Sequence, residues 1–359
     1  MKKNLCILFG GNSTEYAISL LSTANVLAQC RKLADYDIYL LGISQTGVFY
    51  EYLGPDDRIP IDEWLADPAW VRPVSFIPGR LQGYHREASG PDQVPSDQPI
   101  DIFFPVLHGQ DGEGGPLQGF LEILGAPYVG CKHLSAGLMM DKAFANTLFE
   151  QGGLAQTPWL SLKRQSSPPT YQQLSEEMAA KGVCFPLFVK PANAGSSVGI
   201  SKVADPADLV AALNLAFSYD RKLVLENAVQ GRELEVAVLE DTDGQLVVSP
   251  AGEIVPGHDF YDYEDKYAAD SQSRLLLPAD LSPEQSDEIR RIAAQAFQLA
   301  DCRGLARVDF FLRSEDGAIL INEINTMPGF TAISMYSKLI ALTGLSPQDL
   351  MIKLIHSAY

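Results

Sequence analysis

Apolar segments alternate with helical segments in the first part of this chain, and that alternation limits the folds it can adopt. Residues 5–9 form an apolar run that ends at two glycines, and a helical pattern follows over residues 18–27. Further apolar runs cover residues 36–43 and 102–107. Buried strands separated by helices predict a parallel sheet with helices packed on it. We therefore expect an α/β fold.

Other local patterns predict further elements. Residues 53–98 are rich in Pro, Gly and Asp and suggest an irregular insertion that could include short hairpins. A helical pattern covers residues 139–151, and a cap residue followed by Pro predicts helix starts near residues 206, 283 and 347.

The composition is that of a soluble globular protein. Of the 359 residues, 46% are hydrophobic and 20% are charged. A chain of this length predicts about two or three domains. No apolar run has the ~20 residues that a membrane-spanning helix needs, and the apolar stretch after Lys2 and Lys3 is too short for a signal peptide. We expect a cytoplasmic protein that does not bind membranes.

Charge and cysteine content narrow the possible partners. The formal net charge of -18 disfavours binding to nucleic acid or to an anionic membrane. The five cysteines are odd in number, widely spaced and without a C-x-x-C pair, so neither a disulfide framework nor a zinc site is expected. An anionic substrate would have to be bound by local lysines and arginines.

Two polar segments interrupt apolar runs near the end of the chain, and a turn-like segment separates them. Side chains alternate along a strand, so Arg307 and Asp309 share one face, and Glu323 and Asn325 share another. If those faces coincide, two carboxylates, an amide and an arginine converge. Carboxylate and amide oxygens are the ligands that Mg²⁺ takes beside phosphates. The alternative is an exposed hairpin with scattered charges, which the apolar flanks disfavour.

Two glycine-rich segments follow apolar strands. The first opens a helix, where free N–H groups favour an anion, although glycine there can also serve close packing. It carries Glu15, which is either a helix-start acid or a carboxylate aimed into a ligand crevice. The second follows Lys190, a lysine at the end of an apolar strand, and contains Ser196 and Ser197. It is not a Walker A loop; it predicts a hairpin over nucleotide phosphates or, alternatively, an ordinary Ser/Gly hairpin.

Residues 255–274 lack a clear period, as in lids and binding loops. Aromatic residues, among them Phe260 and Tyr267, are mixed there with Lys266, which would suit a lid over a phosphorylated intermediate. The alternative is a tyrosine-rich surface loop.

Three further residues are candidates for the chemistry. Gly329 allows a close backbone approach, and its N–H could join Arg307 in an oxyanion hole. Ser334 could donate to a carboxylate. His108 ends a buried strand, where it is either a general base or a structural hydrogen-bonding residue.

Taken in order, these motifs resemble the ATP-grasp superfamily and, within it, the D-alanine–D-alanine ligases. The resemblance covers nearly the whole chain and is loosest over about residues 52–100. The motifs that carry it are Gly10-Gly11-x-Ser13-x-Glu15, His108-Gly109-x-x-Gly112-Glu113, Met140-Asp141-Lys142, Lys190-Pro191 with Gly195-Ser196-Ser197-x-Gly199, Tyr263-x-x-Lys266-Tyr267, Arg307-x-Asp309, and Asn322-Glu323-x-Asn325 with Pro328-Gly329.

The resemblance implies a three-domain ATP-grasp enzyme with a Rossmann-like N-terminal parallel sheet. The implied domains are residues 1–132, which bind the first D-alanine, residues 133–227, and residues 228–359, which carry the metal site and the lid. The implied reaction joins two D-alanines through an acylphosphate for peptidoglycan synthesis, with ATP and two Mg²⁺ or Mn²⁺ ions. A cytoplasmic homodimer is expected.

The resemblance also implies a role for each matching residue. Those implied to bind ATP are Lys142, Lys190, Ser197, Glu226, Val229, Glu233, Phe260 and Lys266; those implied to hold metal are Asp309, Glu323 and Asn325. Glu15 would bind the ammonium of the first D-alanine, and Arg307 with the Gly329 N–H would stabilise the tetrahedral intermediate. Ser334 and Lys266 would bind the carboxylate of the second substrate, and Glu15, Ser196 and Tyr267 would form a bridge that closes the lid.

The chain departs from the ligase pattern at several positions. Tyr16 stands where histidine is usual and looks like the ligases that make D-alanyl-D-serine, whereas Met335 matches the ordinary enzymes. A thioether there would line an apolar pocket suited to a methyl group. Gly114 replaces an acid and Ser337 a proline. D-Serine therefore stays open as second substrate, as does a catalytically silent nucleotide-binding module, which the intact metal ligands disfavour.

Overall fold

The computed structural model describes residues 2–88, 94–195, 198–255 and 274–359. Within these ranges the strands form three sheets that follow one another along the chain, as expected for an α/β chain. No helix of the described ranges is long and apolar enough to cross a bilayer. All five cysteines lie in these ranges and are free thiols.

The first sheet is parallel at one end. The three parallel strands there are the predicted apolar runs, which are largely buried, as expected for a parallel sheet that helices cover on both faces. Its strands are β1 (Lys3–Gly10), β2 (Tyr36–Ile43), β3 (Phe49–Tyr52), β4 (Val71–Ser75), β5 (Gly83–Arg86), β6 (Ser96–Pro99) and β7 (Ile102–Val106), in the order β6-β5-β4-β3-β2-β1-β7.

Short antiparallel strands lie where the sequence pattern suggests an irregular insertion. β3 to β6 extend the sheet from β2 by antiparallel pairing. A buried network holds this extension together: Arg86 donates two hydrogen bonds of 2.7 and 2.6 Å to Glu51, and the Tyr84 hydroxyl donates a third of 2.8 Å. Strands of four or five residues form because they pair with neighbouring strands and because distant polar residues hold them together. The local composition does not reveal either kind of contact.

In the described part of the chain up to residue 151, five α-helices accompany the first sheet and lead to the second. The helical pattern predicted over residues 139–151 is divided, because the Asp141 side chain accepts hydrogen bonds from the N–H groups of Ala143 and Phe144 and so starts a new helix. The helices are α1 (Tyr16–Cys30), α2 (Gln110–Glu113), α3 (Pro116–Ile123), α4 (His133–Met140) and α5 (Lys142–Gln151).

The second sheet is antiparallel and carries two helices. The helix predicted to begin near residue 206 begins three residues later, because the Asp205 carboxylate accepts a 2.8 Å hydrogen bond from Ala207 N–H and holds a turn. The elements are β8 (Trp159–Lys163), α6 (Tyr171–Lys181), β9 (Leu187–Pro191), β10 (Ser201–Val203), α7 (Leu209–Tyr219) and β11 (Lys222–Asn227), with strand order β10-β9-β11-β8.

The third sheet carries the predicted polar hairpin. The predicted helix starts near residues 283 and 347 are confirmed, because capping boxes at Ser282 and Ser346 begin helices there. The elements are β12 (Gly231–Glu240), β13 (Leu246–Val248), β14 (Gly252–Val255), β15 (Arg274–Leu276), α8 (Pro283–Leu299), β16 (Leu305–Arg313), β17 (Ile319–Asn325), α9 (Met335–Ala341) and α10 (Pro347–His356). The strand path is β15-β14-β12-β16-β17, with β13 paired to β12.

One hydrophobic cluster joins the first and third parts of the molecule. It contains Ile7 of β1 and Leu20 of α1 together with Phe330 and with Leu354 of α10. Buried side chains that share one core cannot shift independently, because interiors are closely packed. The start of the chain and the segment after β17 are therefore held in a defined relation.

Candidate active site

The polar hairpin brings its charged side chains together across three neighbouring strands. Glu235 of β12 pairs with Asp309 of β16, and Asp309 pairs with Glu323 of β17. Arg307 pairs with Asn325 in the same two strands. The two polar faces therefore coincide, and three carboxylates lie in a row across the sheet.

Arg307 is the positive charge at the centre of this row. Its guanidinium donates two hydrogen bonds of 2.7 Å to Asp309, and it lies 3.0 Å from a carboxylate oxygen of Glu235. The Asn325 amide donates a further 2.9 Å hydrogen bond to Asp309. Burial alone would lower the pKa of Arg307, but the carboxylates of Asp309 and Glu235 outweigh burial and raise that pKa well above its ordinary value.

An irregularity in β17 decides which of its side chains reach the site. The pairing shifts after Asp309, because Phe310 pairs with Ile321 and leaves Asn322 as an extra residue. A bulge of this kind re-aims side chains and is common beside active sites. As a result Asn322 and Glu323, although adjacent in sequence, both line the same cavity.

A buried ion pair occupies the second sheet. The Lys190 ammonium lies 2.5 Å from Glu226, and the Asn146 amide donates a 2.9 Å hydrogen bond to the same carboxylate. Burial would raise the pKa of Glu226, but the charge of Lys190 and these hydrogen bonds outweigh it and lower that pKa. The pKa of Lys190 is raised, because the Glu226 charge outweighs the opposing effect of burial.

Replacing Glu226 with glutamine should destabilise the protein, because it leaves a buried ammonium without its counter-charge. We expect the free energy of unfolding at pH 7 to fall by about 3–5 kcal/mol. The pKa of Glu226 is lower in the folded state than its ordinary value of 4.5. The charged Glu226 therefore stabilises the fold fully above pH 4.5, and this stabilisation is lost as the pH falls below 4.5 towards the folded-state pKa. Urea unfolding should therefore show a difference in the free energy of unfolding between wild type and Glu226→Gln that becomes smaller below pH 4.5. A difference that becomes larger there would contradict the ion pair between Lys190 and Glu226.

Glu15 lies where two glycines let the backbone approach it. Gly109 has a φ of +78°, and a Cβ on it would lie 2.4 Å from Ser13 Oγ and 2.9 Å from Glu15 Oε2. A Cβ on Gly195 would lie 3.3 Å from the same carboxylate oxygen. A side chain at Gly109 would be strained by its positive φ and would clash, whereas one at Gly195 would make a tight contact, so both glycines shape the space around the Glu15 carboxylate.

Lys142 connects the second glycine-rich segment with the polar hairpin. Its ammonium donates a 2.9 Å hydrogen bond to the Ala194 carbonyl and lies 3.7 Å from Glu323. Lys142 is the first residue of α5, and its side chain lies between the second sheet and the third sheet. A lysine there can contact an anion that lies between these sheets.

One cavity of about 330 Å³ unites these groups. It reaches from Glu15 and His108, past Arg307, to the pair of Lys190 and Glu226. The predicted site residues that line it are Glu15, Lys142, Lys190, Glu226, Val229, Glu233, Arg307, Glu323, Asn325 and Gly329.

Two described residues of the predicted site, Asp309 and Ser334, do not line this cavity. Asp309 lies behind the guanidinium of Arg307. The Ser334 hydroxyl accepts a 2.9 Å hydrogen bond from Thr331 N–H, and its oxygen lies 2.9 Å from the place of a Cβ on Gly329, so it borders the site. The other predicted site residues lie outside the described residues: Ser196, Ser197, Phe260, Lys266 and Tyr267.

Three residues that the sequence left open take defined positions. His108 is buried and both ring nitrogens have hydrogen-bond partners, which favours a structural role over that of a general base. The Tyr16 hydroxyl accepts a 2.7 Å hydrogen bond from Trp64 and donates one of 2.8 Å to Asp62, outside the cavity. Met335 belongs to the hydrophobic core and does not line this cavity, and a thioether-lined pocket for the second substrate stays a prediction.

Sequence reasoning missed two residues that support the site. Glu235 is a second carboxylate partner of Arg307, and Asn146 is a partner of Glu226. Both leave a signal in spacing: Glu235 is two residues after Glu233 on one strand, and Asn146 is four residues after Lys142 on one helix. These periodicities place each missed residue on the same face as a predicted one.

Two family models together match most of the chain. The model described as D-ala D-ala ligase N-terminus matches residues 4–131, and that described as D-ala D-ala ligase C-terminus matches residues 148–356. The D-alanine--D-alanine ligase of Ruminiclostridium cellulolyticum is 42% identical to this chain over 363 residues, covering 100% of this chain and 96% of the relative. That of Proteus mirabilis is 42% identical over 362 residues, covering 99% and 95%.

Solved structures resemble the whole chain as well. The VanG D-Ala:D-Ser ligase from Enterococcus faecalis has a TM-score of 0.89 at 35% identity and covers 100% of both chains. The D-alanine-D-alanine ligase from Coxiella burnetii has a TM-score of 0.83 at 32% identity and covers 99% of this chain and 94% of its own. Because two family models match most of the chain and the relatives match its full length, this chain belongs to the D-alanine–D-alanine ligase family and has the ATP-grasp fold.

Proposed function

We propose that this enzyme joins two molecules of D-alanine, using ATP and releasing ADP and phosphate, to supply peptidoglycan precursors. The observation that carries the proposal is the single cavity in which Glu15, Arg307 and Lys190 all take part. A carboxylate is a poor electrophile, so ATP converts it to an acylphosphate, which the amine of the second substrate then attacks. The names of the curated relatives support D-alanine as the substrate.

The residues of the polar hairpin fit divalent metal ions. Mg²⁺ is usually held by one or two carboxylates together with phosphate oxygens and water, rather than by a complete protein cage. Asp309 and Glu323 supply two carboxylates on adjacent strands, and Asn325 supplies an amide within hydrogen-bond distance of Asp309. Among the described residues no group of three acidic, histidine or cysteine side chains forms a fuller cage. Two Mg²⁺ or Mn²⁺ ions held there would neutralise charge on the phosphates during transfer.

The remaining residues bind and orient the substrates. Lys142 and Lys190 would contact the phosphates of ATP, Glu226 and the backbone near Val229 its adenine, and Glu233 its ribose. All of these line one part of the cavity.

At the other end Glu15 would bind the ammonium of the first D-alanine. Arg307 and the Gly329 N–H would hold the oxyanion that forms when the second amine attacks. Acylphosphates hydrolyse readily, so water must be excluded, and we assign that task to the lid carrying Phe260, Lys266 and Tyr267, with Ser196 and Ser197 below it. Ser334 and Lys266 would bind the carboxylate of the second substrate.

We also propose the domain division 1–132, 133–227 and 228–359, which the succession of three sheets supports. A homodimer in the cytoplasm remains part of the proposal.

Purified protein with ATP, Mg²⁺ and D-alanine should produce D-alanyl-D-alanine and an equal amount of phosphate. Mass spectrometry identifies the dipeptide, and a phosphate assay follows turnover. A reaction without ATP is the control and should give no dipeptide. Nucleotide binding without dipeptide or phosphate release would instead favour a silent regulatory module.

A ligase that uses D-serine as the second substrate is the second candidate. The similarity to the VanG D-Ala:D-Ser ligase over the full length of both chains favours it, as does Tyr16. Competition between D-alanine and D-serine at equal concentration decides, because the ratio of the two dipeptides reports the ratio of kcat/KM. An excess of D-alanyl-D-serine would replace the first proposal.

A further inference from the structure

The segment that carries Gly329 is held by side chains from the first part of the chain. We call residues 327–330 the Gly329 segment. His108 Nδ1 lies 3.2 Å from the Met327 carbonyl oxygen, and Phe330 N–H donates a 3.2 Å hydrogen bond to Ser22 Oγ. The Asn25 amide donates a 3.0 Å hydrogen bond to the Phe330 carbonyl. Both ends of the segment are therefore bonded through the backbone to residues more than 200 positions away in sequence.

These hydrogen bonds form a closed circuit. The Met327 carbonyl can only accept, so His108 Nδ1 donates to it; Nδ1 also lies 3.5 Å from a carboxylate oxygen of Glu113. His108 Nε2 lies 3.1 Å from the Ser22 oxygen, which in turn accepts from Phe330 N–H. His108 and Ser22 therefore connect the two ends of the Gly329 segment to each other.

Burial gives the circuit its rigidity. Ser22 is 0% exposed and His108 is 4% exposed, so water cannot replace a lost partner without rearrangement. The Phe330 ring adds packing, because it contacts the rings of Phe104 and Tyr336 edge-on at centroid distances of 6.3 and 5.8 Å. The backbone on either side of Gly329 has little freedom to turn.

Helix α1 connects this circuit to the other end of the cavity. It begins at Tyr16, directly after Glu15, and carries Ser22 and Asn25 one turn apart. A single helix therefore sets the distance between the Glu15 carboxylate and the backbone of the Gly329 segment. Rates depend steeply on such distances, since a displacement of about 1 Å can lower a rate 10²-fold.

We propose that Ser22, Asn25 and His108 are positioning residues that aim the Gly329 N–H at the reacting carbonyl and couple it, through α1, to the site for the first substrate. This inference rests on the proposed function, in which Glu15 binds the first D-alanine and the Gly329 N–H binds the oxyanion. None of the three needs to touch the reacting atoms.

The test replaces Ser22 with alanine, which removes one hydroxyl from the circuit. We expect kcat to fall about 10- to 100-fold while KM for ATP stays within about twofold, since the nucleotide end of the cavity is unchanged. A dipeptide analogue with a tetrahedral phosphinate in place of the amide should bind in the presence of ATP more weakly by a similar factor, because it makes the contact of the tetrahedral state. D-Alanine should raise the thermal unfolding temperature of wild type and of Ser22→Ala by the same amount.

Thr23→Val on the same helix is the matched control. Thr23 is buried, and its hydroxyl donates to the Ser19 carbonyl within α1, so this variant loses a buried hydroxyl without opening the circuit. Its kcat and phosphinate affinity should equal those of wild type. If Ser22→Ala does not fold, Asn25→Ala gives the same readout from a less buried position, with the same expected direction.

The outcomes separate the two claims. Unchanged kcat and phosphinate affinity in the folded Ser22 or Asn25 variant, or an equal loss in Thr23→Val, would overturn the positioning role. Wild-type protein that makes no dipeptide would instead refute the proposed function. A selective loss of phosphinate affinity in an active enzyme supports the inference.

Discussion

Asp309→Asn should reduce dipeptide formation by about 10³-fold or more if Asp309 is the charged metal ligand that we propose, because several kcal/mol of transition-state stabilisation would depend on the metal. The fold should survive, since Arg307 keeps Glu235 as a partner at 3.0 Å. We expect the free energy of unfolding to fall by only about 1–3 kcal/mol, because an asparagine at this position accepts the hydrogen bonds of Arg307 less well than the carboxylate does. Steady-state phosphate release and urea unfolding measure the two effects separately.

Asp316→Asn provides the control on the same hairpin. Asp316 is exposed, and its carboxylate accepts hydrogen bonds from Arg313 and from Ala318 N–H, so the variant makes the same change of charge outside the cavity. Its turnover should match wild type. A second readout is Mn²⁺ binding with a non-hydrolysable ATP analogue, which Asp309→Asn should weaken. Unaltered turnover or unaltered Mn²⁺ affinity in Asp309→Asn would remove this residue from the metal site.

Arg307→Ala should lower kcat by roughly 10²–10³-fold if the guanidinium donates to the oxyanion. The structure adds a second consequence, because Asp309 and Glu235 would lose their shared positive partner. Breaking a buried ion pair on one side costs about 3–5 kcal/mol, so stability should fall as well. Kinetics must be measured at a temperature at which circular dichroism shows the variant folded.

Arg307→Lys distinguishes charge from geometry. Lysine retains the positive charge but lacks the planar fork that donates two parallel hydrogen bonds. We expect this variant to recover most of the lost stability and only part of the lost rate. A lysine variant with full activity would show that charge alone suffices, and an alanine variant with full activity would exclude Arg307 from the oxyanion site.

Local patterns in the sequence were sufficient for most of the architecture. Continuous apolar runs predict the parallel strands of the first sheet, and Ser-Pro caps predict the starts of α8 and α10 at Pro283 and Pro347. Alternation along two strands predicts that Arg307 and Asp309 face the same way. These signals are readable because each depends on side chains that are near one another in sequence.

Other features depend on pairing between distant parts of the chain. The antiparallel extension β3 to β6 is held by Arg86 and Glu51, which are 35 residues apart. The bulge at Asn322 arises from how β17 pairs with β16, so no pattern within β17 reveals that Asn322 and Glu323 both reach the cavity. The exclusion of Met335 from the cavity is a matter of core packing.

By itself the sequence determined which chemical groups this ligase carries and on which strands and loops they lie, because strand periodicity and motif spacing are local. Only the tertiary structure decided that His108 closes a hydrogen-bonded circuit with Ser22 and the Gly329 segment. It also decided that Glu235 completes the environment of Arg307. The physical reason is that partners of buried polar groups are chosen by the packing of elements far apart in the chain, and each such group must find one.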